Sequence, residues 1–317
     1  MLSMRGRRLI EHGRLHCPGN DNDVQPVLER YVVVAHQTNR CNPSGHGLIF
    51  VDVGRPSRPR IVSMLSIPDG TAHTVTVHPS EPYVYVSPGG FPVNGGGLQT
   101  IVDISDIENP RIAATFQPHP SGCHDLAMME RADTVFAFCS GFGETSIWDL
   151  SDPESPVVVG RIHNPATEFM YVALPSPDGR HLAIVDEACA AHECALGLGP
   201  GGVWLYDIQS LTAPVLVGRI PPPARSGAVA ARPDDVTTWC AAHGIAWHPD
   251  VPNLLAVAWY TAGIGVYDLT SAAAPVEVAV FQAEDSLTEV LAWQDGLLFS
   301  NDLRRGVDVF ELDPPLD

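Results

Sequence analysis

Positive charge is scarce in this chain of 317 residues: 18 Lys and Arg stand against 37 Asp and Glu, a formal net charge of -19. That imbalance opposes binding to nucleic acid and to anionic membrane surfaces, both of which repel an acidic protein. Long apolar runs are also missing. No stretch reaches the roughly 18 apolar residues that a membrane-spanning helix needs. The seven cysteines are an odd number without a CxxC pair, so neither a disulfide framework nor a zinc ribbon is written here, and most thiols are expected to be reduced. Cys189 and Cys194 leave three readings open: a closed loop, a local metal site with His192, or incidental thiols. The N-terminal MLSMRGRRLIEHGRLHC lacks the apolar run and small-residue cleavage site of a secretory signal, which predicts cytoplasmic residence. Familiar catalytic signatures are absent as well: no GxSxG elbow, no Walker loop, no HExxH helix. The glycine-rich PGGFPVNGGGLQ lacks the strand-to-helix setting of a dinucleotide fingerprint and reads as an insertion at a rim.

What the chain does have is turn residues and short β-rich tracts. The 28 Gly and 29 Pro are spread throughout, between Val- and Ile-rich segments too short for helices. One unit recurs six times: an apolar tract ending in Asp, a polar turn often holding Pro, then a second apolar tract. The copies are LIFVDVGRPSRPRIVSML, QTIVDISDIENPRIAATF, SIWDLSDPESPVVVGRI, WLYDIQSLTAPVLVGRI, GVYDLTSAAAPVEVAVF and a truncated GVDVFELDPP. Their aspartates, Asp52, Asp103, Asp149, Asp207, Asp268 and Asp308, lie 40 to 61 residues apart. This suits four-stranded propeller blades, whose period is about 40 to 50 residues, with loop insertions in the longer units. The expected fold is therefore all-β, a single β-propeller over residues 1–317 with about six four-stranded blades. Seven stay open, because the first strand of blade one is weak. The truncated last copy needs a fourth strand, and RRLIEHGRL has the spacing to supply it and close the ring. The aspartates themselves read as turn-capping residues.

VDISDIENPRIAATF and WDLSDPESPVVVGRI resemble the LVIVD-repeat β-propeller proteins, as do GCHDLAM, AAHGIAWHP and NDLRRGVDVF. The resemblance covers nearly the whole chain. It implies the propeller fold and no particular chemistry, because that family has no single activity.

Chemistry in such a fold is expected where the first strands of the blades begin. Aligning AHTVTVHP with AHGIAWHP places His73 and His243 at equivalent strand starts. His124 occupies that place in blade three and Glu289 in blade six, while blade four offers Glu168 or Tyr171 and blade one offers Asp21 or Asp23. Three imidazoles and a carboxylate make a ligand set for one transition metal ion, Fe or Cu by preference and Zn or Mn as alternatives. The far ends of the second strands supply His36, Asp186, Glu187, Tyr260, Asn301 and Asp302. Of these, Asp186, Glu187 and Tyr260 are the expected proton-handling residues. His36, Asn301, Asp302, Glu168 and Tyr171 are expected to touch substrate or to support the ligands. His78 and His248, five residues along and each before Pro, read as turn residues of the opposite face. Cys123 and Cys240 lie beside His124 and His243 in sequence, so their bonding is open. The function implied is a mononuclear metal-dependent enzyme acting on a small organic substrate, oxidative by preference. A redox-neutral hydrolase, lyase or isomerase and a non-catalytic binding scaffold are the alternatives.

Overall fold

The structure, a computed structural model, describes residues 2–5, 8–17, 19–39, 46–67, 72–89, 98–117, 122–187, 201–224 and 241–312. Cys189, His192, Cys194, Cys240 and most of the glycine-rich insertion lie outside the described residues. The fold is all-β, with no α-helix among the described residues, and its antiparallel sheets are the blades of a six-bladed β-propeller.

Blade one is built from Gly19–Val27, Tyr31–Asn39, Gly47–Asp52 and Arg60–Leu65, and blade two from Thr74–Val77, Tyr83–Ser87, Gln99–Asp103 and Arg111–Phe116. Blade three follows with Asp125–Arg131, Thr134–Gly141, Glu144–Asp149 and Val157–His163. Blade four comprises Met170–Pro175, His181–Asp186, Val203–Asp207 and Val215–Ile220, and blade five Ile245–Trp247, Leu254–Ala258, Ile264–Asp268 and Val276–Phe281. Among the described residues blade six has three strands, Thr288–Gln294, Leu297–Asp302 and Gly306–Glu311. The proposed fourth strand is used differently: Arg8–Glu11, inside RRLIEHGRL, pairs with Leu2–Arg5 in a separate two-stranded sheet. A short local hairpin satisfies its backbone groups without the long closure that the repeat pattern suggested.

The chain divides into two compact units. Met1–Cys139 with Trp148–Val158 form the first, and Ser140–Ile147 with Val159–Asp317 the second. In the first, Val33, Leu48, Phe50, Val75, Val84 and Val102 pack into one apolar cluster, and Tyr85, Ile101, Ala137 and Trp148 into another. In the second, Val185, Leu205, Val257 and Trp259 anchor one cluster, and Ala256, Val266, Leu291 and Leu298 the next. Third strands such as Gly47–Asp52 and Gln99–Asp103 are buried along their whole length, whereas fourth strands are partly exposed. The continuous Val and Ile runs in the sequence mark strands covered on both faces.

The repeat works as a turn. Asp52, Asp103, Asp149, Asp207 and Asp268 each end a third strand and accept a hydrogen bond from the backbone N–H two residues on, at Gly54, Ser105, Ser151, Gln209 and Thr270. His78 and His248 are likewise structural. Their Nδ1 atoms accept from Glu81 N (3.0 Å) and Val251 N (3.2 Å), closing the turns of the HPSE and HPDV segments. Beyond Asp52, Asp103, Asp207 and Asp268 the fourth strand carries a bulge, between Phe50 and Val51 in blade one's pairing and at matching places in blades two, four and five. A small residue follows it: Ser63, Ala114, Gly218 and Ala279 in those blades.

Small residues are needed there because the next blade's turn carbonyl arrives at that spot. Ser63 Oγ donates to Ile107 O at 2.6 Å, and a Cβ on Gly160 or Gly218 would collide with the carbonyl oxygen of Leu211 or Ala272. Inner strands are joined sideways as well. Thr74 Oγ1 donates to His124 O (3.0 Å) and Thr76 Oγ1 to Leu126 O (2.6 Å), while Trp247 Nε1 donates to Leu174 O and Trp293 Nε1 to Ala246 O.

The expectation of reduced thiols does not hold for Cys123 and Cys139. They are joined in a disulfide across 16 residues, with both residues fully buried. Cys17 is disulfide-bonded too. The pairing arises because the start of blade three's first strand lies beside its second strand, a proximity that spacing alone does not reveal.

Two stability outcomes follow. Gly218→Val should cost about 2 to 3 kcal/mol by forcing the Ala272 turn away, read as a drop in the denaturant midpoint at unchanged slope. Cys139→Ser should cost about 3 kcal/mol, the figure for a loop of that length, in the same measurement. A change below about 0.5 kcal/mol in either would contradict these assignments.

Candidate functional site

The second unit gathers four of the predicted residues around one buried carboxyl. Glu187 follows the second strand of blade four, and its Oε1 accepts a short hydrogen bond from the Tyr260 hydroxyl. His243 precedes the first strand of blade five and places Nε2 3.9 Å from the same Oε1. On the other side of the imidazole, Nδ1 donates to the Glu289 carbonyl oxygen at 2.9 Å. That bond requires a proton on Nδ1 and turns Nε2 toward Glu187. Gly244 N also donates to the Glu289 carbonyl at 2.8 Å, so His243 is held on a rigid backbone edge.

Tyr260 is positioned at a cost. Its φ of 44° lies in the left-handed region, unusual for an aromatic residue. The backbone is held there by reciprocal bonds with Thr288 (Tyr260 N to Thr288 O at 3.2 Å, Thr288 N to Tyr260 O at 3.1 Å) and by Gly263 N donating to Tyr260 O. Such conformations cost about 1 to 3 kcal/mol and persist where surrounding structure over-determines them. The strained residue here is the one whose hydroxyl meets the buried carboxyl.

Aromatic rings lead up to this point. Phe142, exposed, stacks on Phe169 at 4.5 Å, and Phe169 meets the Tyr171 ring edge-on at 6.4 Å. Tyr171 lies 4.2 Å from the His243 ring, and His243 lies 5.0 Å from the Tyr260 ring. Burial in this setting pushes the Glu187 carboxyl up to about 8, with the nearby Glu289 and Asp186 charges adding to the rise. Burial also raises Glu289, and raises the Tyr260 hydroxyl with help from the Glu187 charge. Glu187 is therefore a neutral acid near pH 7 and becomes a base on losing its proton.

The remaining candidates sort differently. Asp186 is bound to the backbone, and burial raises its carboxyl. Its carboxylate accepts from the backbone N–H groups of Glu168 (3.1 Å), Phe169 (3.0 Å) and Gly201 (3.1 Å), which clamps the segment presenting Phe169. Asp302 does the same in blade six, accepting from Leu287 N, Thr288 Oγ1, Arg304 N and Arg305 N. Glu168 and Asn301 are exposed.

In the first unit, His73 and His124 meet edge to face with ring centroids 4.4 Å apart. Gln37 Nε2 donates to His73 Nδ1 at 2.6 Å, and Asn22 Nδ2 lies 3.1 Å from the same atom. Burial lowers His73 to about 4, so its imidazole is neutral at ordinary pH. His36 is fully buried on the second strand of blade one. Sequence reasoning missed Asp125, the residue after His124. Its carboxyl is buried and driven to about 7, first by burial and then by Asp23, whose Oδ2 accepts from Val75 N at 2.9 Å. The signal available was its place on an inner strand beside a candidate site residue.

The four expected metal ligands fall in two pairs, His73 with His124 in the first unit and His243 with Glu289 in the second. Among the described residues no group of three or more His, Cys, Asp or Glu is placed to hold a metal ion. In the second pair Glu289 meets the imidazole through its backbone carbonyl, a hydrogen-bonding role that orients His243.

No known family model matches this chain, and no curated protein matches it. Among solved structures it is similar to a protein from Lactobacillus plantarum, with 15% identity and a TM-score of 0.69 over 96% of this chain and 87% of that one. It is also similar to Sqt1 of Saccharomyces cerevisiae, with 11% identity and a TM-score of 0.60 over 95% of this chain and 71% of that one. Likeness at this level of identity carries the fold and no activity.

The raised Glu187 makes a pH-dependent prediction. The folded state holds the proton up to about 8 while the unfolded chain releases it near the ordinary 4.5, so stability is fullest below 4.5 and falls as pH rises through that window. Glu187→Gln, a neutral isostere, should flatten that fall in thermal midpoints collected from about pH 4 to about pH 9. Curves that superimpose would refute the raised value.

Proposed function

We propose that this chain is an enzyme that transfers protons to and from a small organic molecule, with Glu187, Tyr260 and His243 as the reacting groups. The observation that carries the proposal is the placement of one buried carboxyl oxygen between the Tyr260 hydroxyl and His243 Nε2, with the imidazole locked by the Glu289 carbonyl. Oε1 is occupied by the Tyr260 proton, so the carboxylic proton resides on Oε2 and is the one available to a substrate. His243 Nε2, the ring nitrogen that the Glu289 carbonyl leaves available, is the complementary acceptor. A substrate lying against Phe169 and Tyr171 would receive a proton from Glu187 and give one to His243, and passage of that proton from His243 Nε2 back to the neighbouring Glu187 carboxylate would restore both groups for the next turnover.

This reading keeps the small-molecule substrate expected from the sequence and is redox-neutral. Among the described residues no three His, Cys, Asp or Glu are placed to hold a metal ion, so no step is routed through a metal here. The LVIVD-repeat resemblance is compatible with the blade architecture and names no reaction.

The test uses the purified full chain in deuterium oxide with a panel of small carbonyl and hydroxy acids, following C–H exchange by mass spectrometry. Exchange in at least one compound is expected, with a loss of about 100-fold or more in Glu187→Gln and in His243→Ala, the usual contribution of a positioned acid or base. Tyr260→Phe should shift the upper limb of the pH–rate profile, because it removes the donor that stabilises the Glu187 carboxylate. No exchange in any compound, or exchange untouched by Glu187→Gln, would overturn the proposal.

A further inference from the structure

The turn after the third strand is repeated in five blades with one backbone geometry, and that repetition exposes an anomaly in blade one. Arg58 N donates to Arg55 O at 2.8 Å. The same bond joins Asn109 to Asp106 (3.0 Å), Ser155 to Asp152 (3.1 Å), Ala213 to Ser210 (3.3 Å) and Ala274 to Ser271 (2.9 Å). The fold therefore accepts Asp or Ser at the place of Arg55 and Asn, Ser or Ala at the place of Arg58. Neither arginine is required for the turn.

Those two arginines face a cleft of about 510 Å³ whose other lining residues are Arg30, Asp52, Pro59 and Arg60. Asp52 is buried at the base and already committed. It accepts from Arg30 (Nε to Oδ1 at 3.0 Å, Nη2 to Oδ2 at 2.7 Å) and from Arg60 (Nη2 to Oδ2 at 3.0 Å). The Arg60 contact has a counterpart in blade two, where Arg111 pairs with Asp103, whereas Val215 and Val276 hold that place in blades four and five. Arg30 is a second partner on the same carboxylate, and Arg55 and Arg58 have no carboxylate partner among the described residues. One carboxylate thus faces four guanidinium groups, in a chain whose net charge is -19.

The backbone that carries Arg55 and Arg58 is stiff, although both side chains are exposed. Pro56 and Pro59 stiffen the turn, and Gly13 of the N-terminal segment lies directly against the Pro56 carbonyl, where a Cβ would collide. The cleft volume falls within the range of small-ligand sites, roughly 300 to 1,000 Å³. Guanidinium groups match phosphate and carboxylate oxygens in paired hydrogen bonds, and several of them together select a ligand with more than one anionic group. A large polyanion would meet the strongly negative remainder of the molecule, whereas a compact one would feel mainly the local field.

We propose that this arginine cleft of blade one is a binding site for a small polyanion bearing two or more phosphate or carboxylate groups. The site is separate from Glu187, Tyr260 and His243 and does not depend on their chemistry.

The experiment is isothermal titration calorimetry of the full chain at low ionic strength in metal-free buffer, with inorganic pyrophosphate and with citrate as probes. Saturable binding of one equivalent is expected for at least one probe, and the preferred probe distinguishes phosphate from carboxylate ligands. The double variant Arg55→Asp with Arg58→Asn carries blade two's own residues, so it should keep the thermal midpoint while losing at least about tenfold in affinity. Arg180→Asp, a change of surface charge elsewhere, should leave binding within about twofold. Absence of saturable binding for both probes, unchanged affinity in the double variant, or tighter arginine-dependent binding of duplex DNA than of either probe would overturn the proposal.

Discussion

Blades one, three and four are each registered against the next by one crowded contact: a turn carbonyl seated on a small residue of the fourth strand. Ser63 under Ile107, Gly160 under Leu211 and Gly218 under Ala272 are versions of it. The bulge turns the fourth strand, the missing or short side chain lets the next blade's turn arrive, and the Asp at the head of that turn fixes its backbone through the N–H two residues on. Hydrogen bonding, steric fit and local sequence thus act at a single point. Inner strands are tied at the same time by Thr74, Thr76, Trp247 and Trp293, which reach across to carbonyls of neighbouring strands. Strand ends are then fixed in space, and the side chains at those ends inherit that rigidity.

The Glu187 site shows what this rigidity permits. Tyr260 occupies a backbone conformation that its side chain disfavours, and Thr288 from the next blade holds it there. His243 is oriented by a carbonyl of the same neighbouring strand. Both groups take their positions from blade six although they belong to blade five, so the geometry around the carboxyl depends on how adjacent blades dock. The aspartates Asp186 and Asp302 gather backbone donors within their own blades, which fixes the strand ends that carry these groups.

Much of this was legible in the sequence, for identifiable reasons. The five turn aspartates repeat with the same local hydrogen bond, so a linear pattern carries them, and the aligned histidines His73 and His243 do begin matching strands. His78 and His248 were read correctly as turn residues because each stands before a Pro. What a linear pattern cannot carry is which atom of a residue does the work. Glu289 meets His243 through its carbonyl, which any residue would supply, and the Asp186 carboxylate gathers backbone N–H groups that only the folded chain brings to it. The Cys123–Cys139 pairing needed the strand register, and the N-terminal strand found a nearer partner than the one its spacing suggested. Asp125 escaped notice beside His124 because its significance comes from burial with Asp23. The arginines of blade one became visible only when five turns of the same geometry were compared.

The disulfide in blade three has a bearing on the life of the molecule. Cys123 and Cys139 are both fully buried, and exchange with an external thiol requires direct attack on sulfur. Small reductants therefore reach the bond only when that blade opens. The oxidation state of a given copy records the conditions under which it folded more faithfully than those in which it later resides, and two populations of the same chain could persist side by side with different histories.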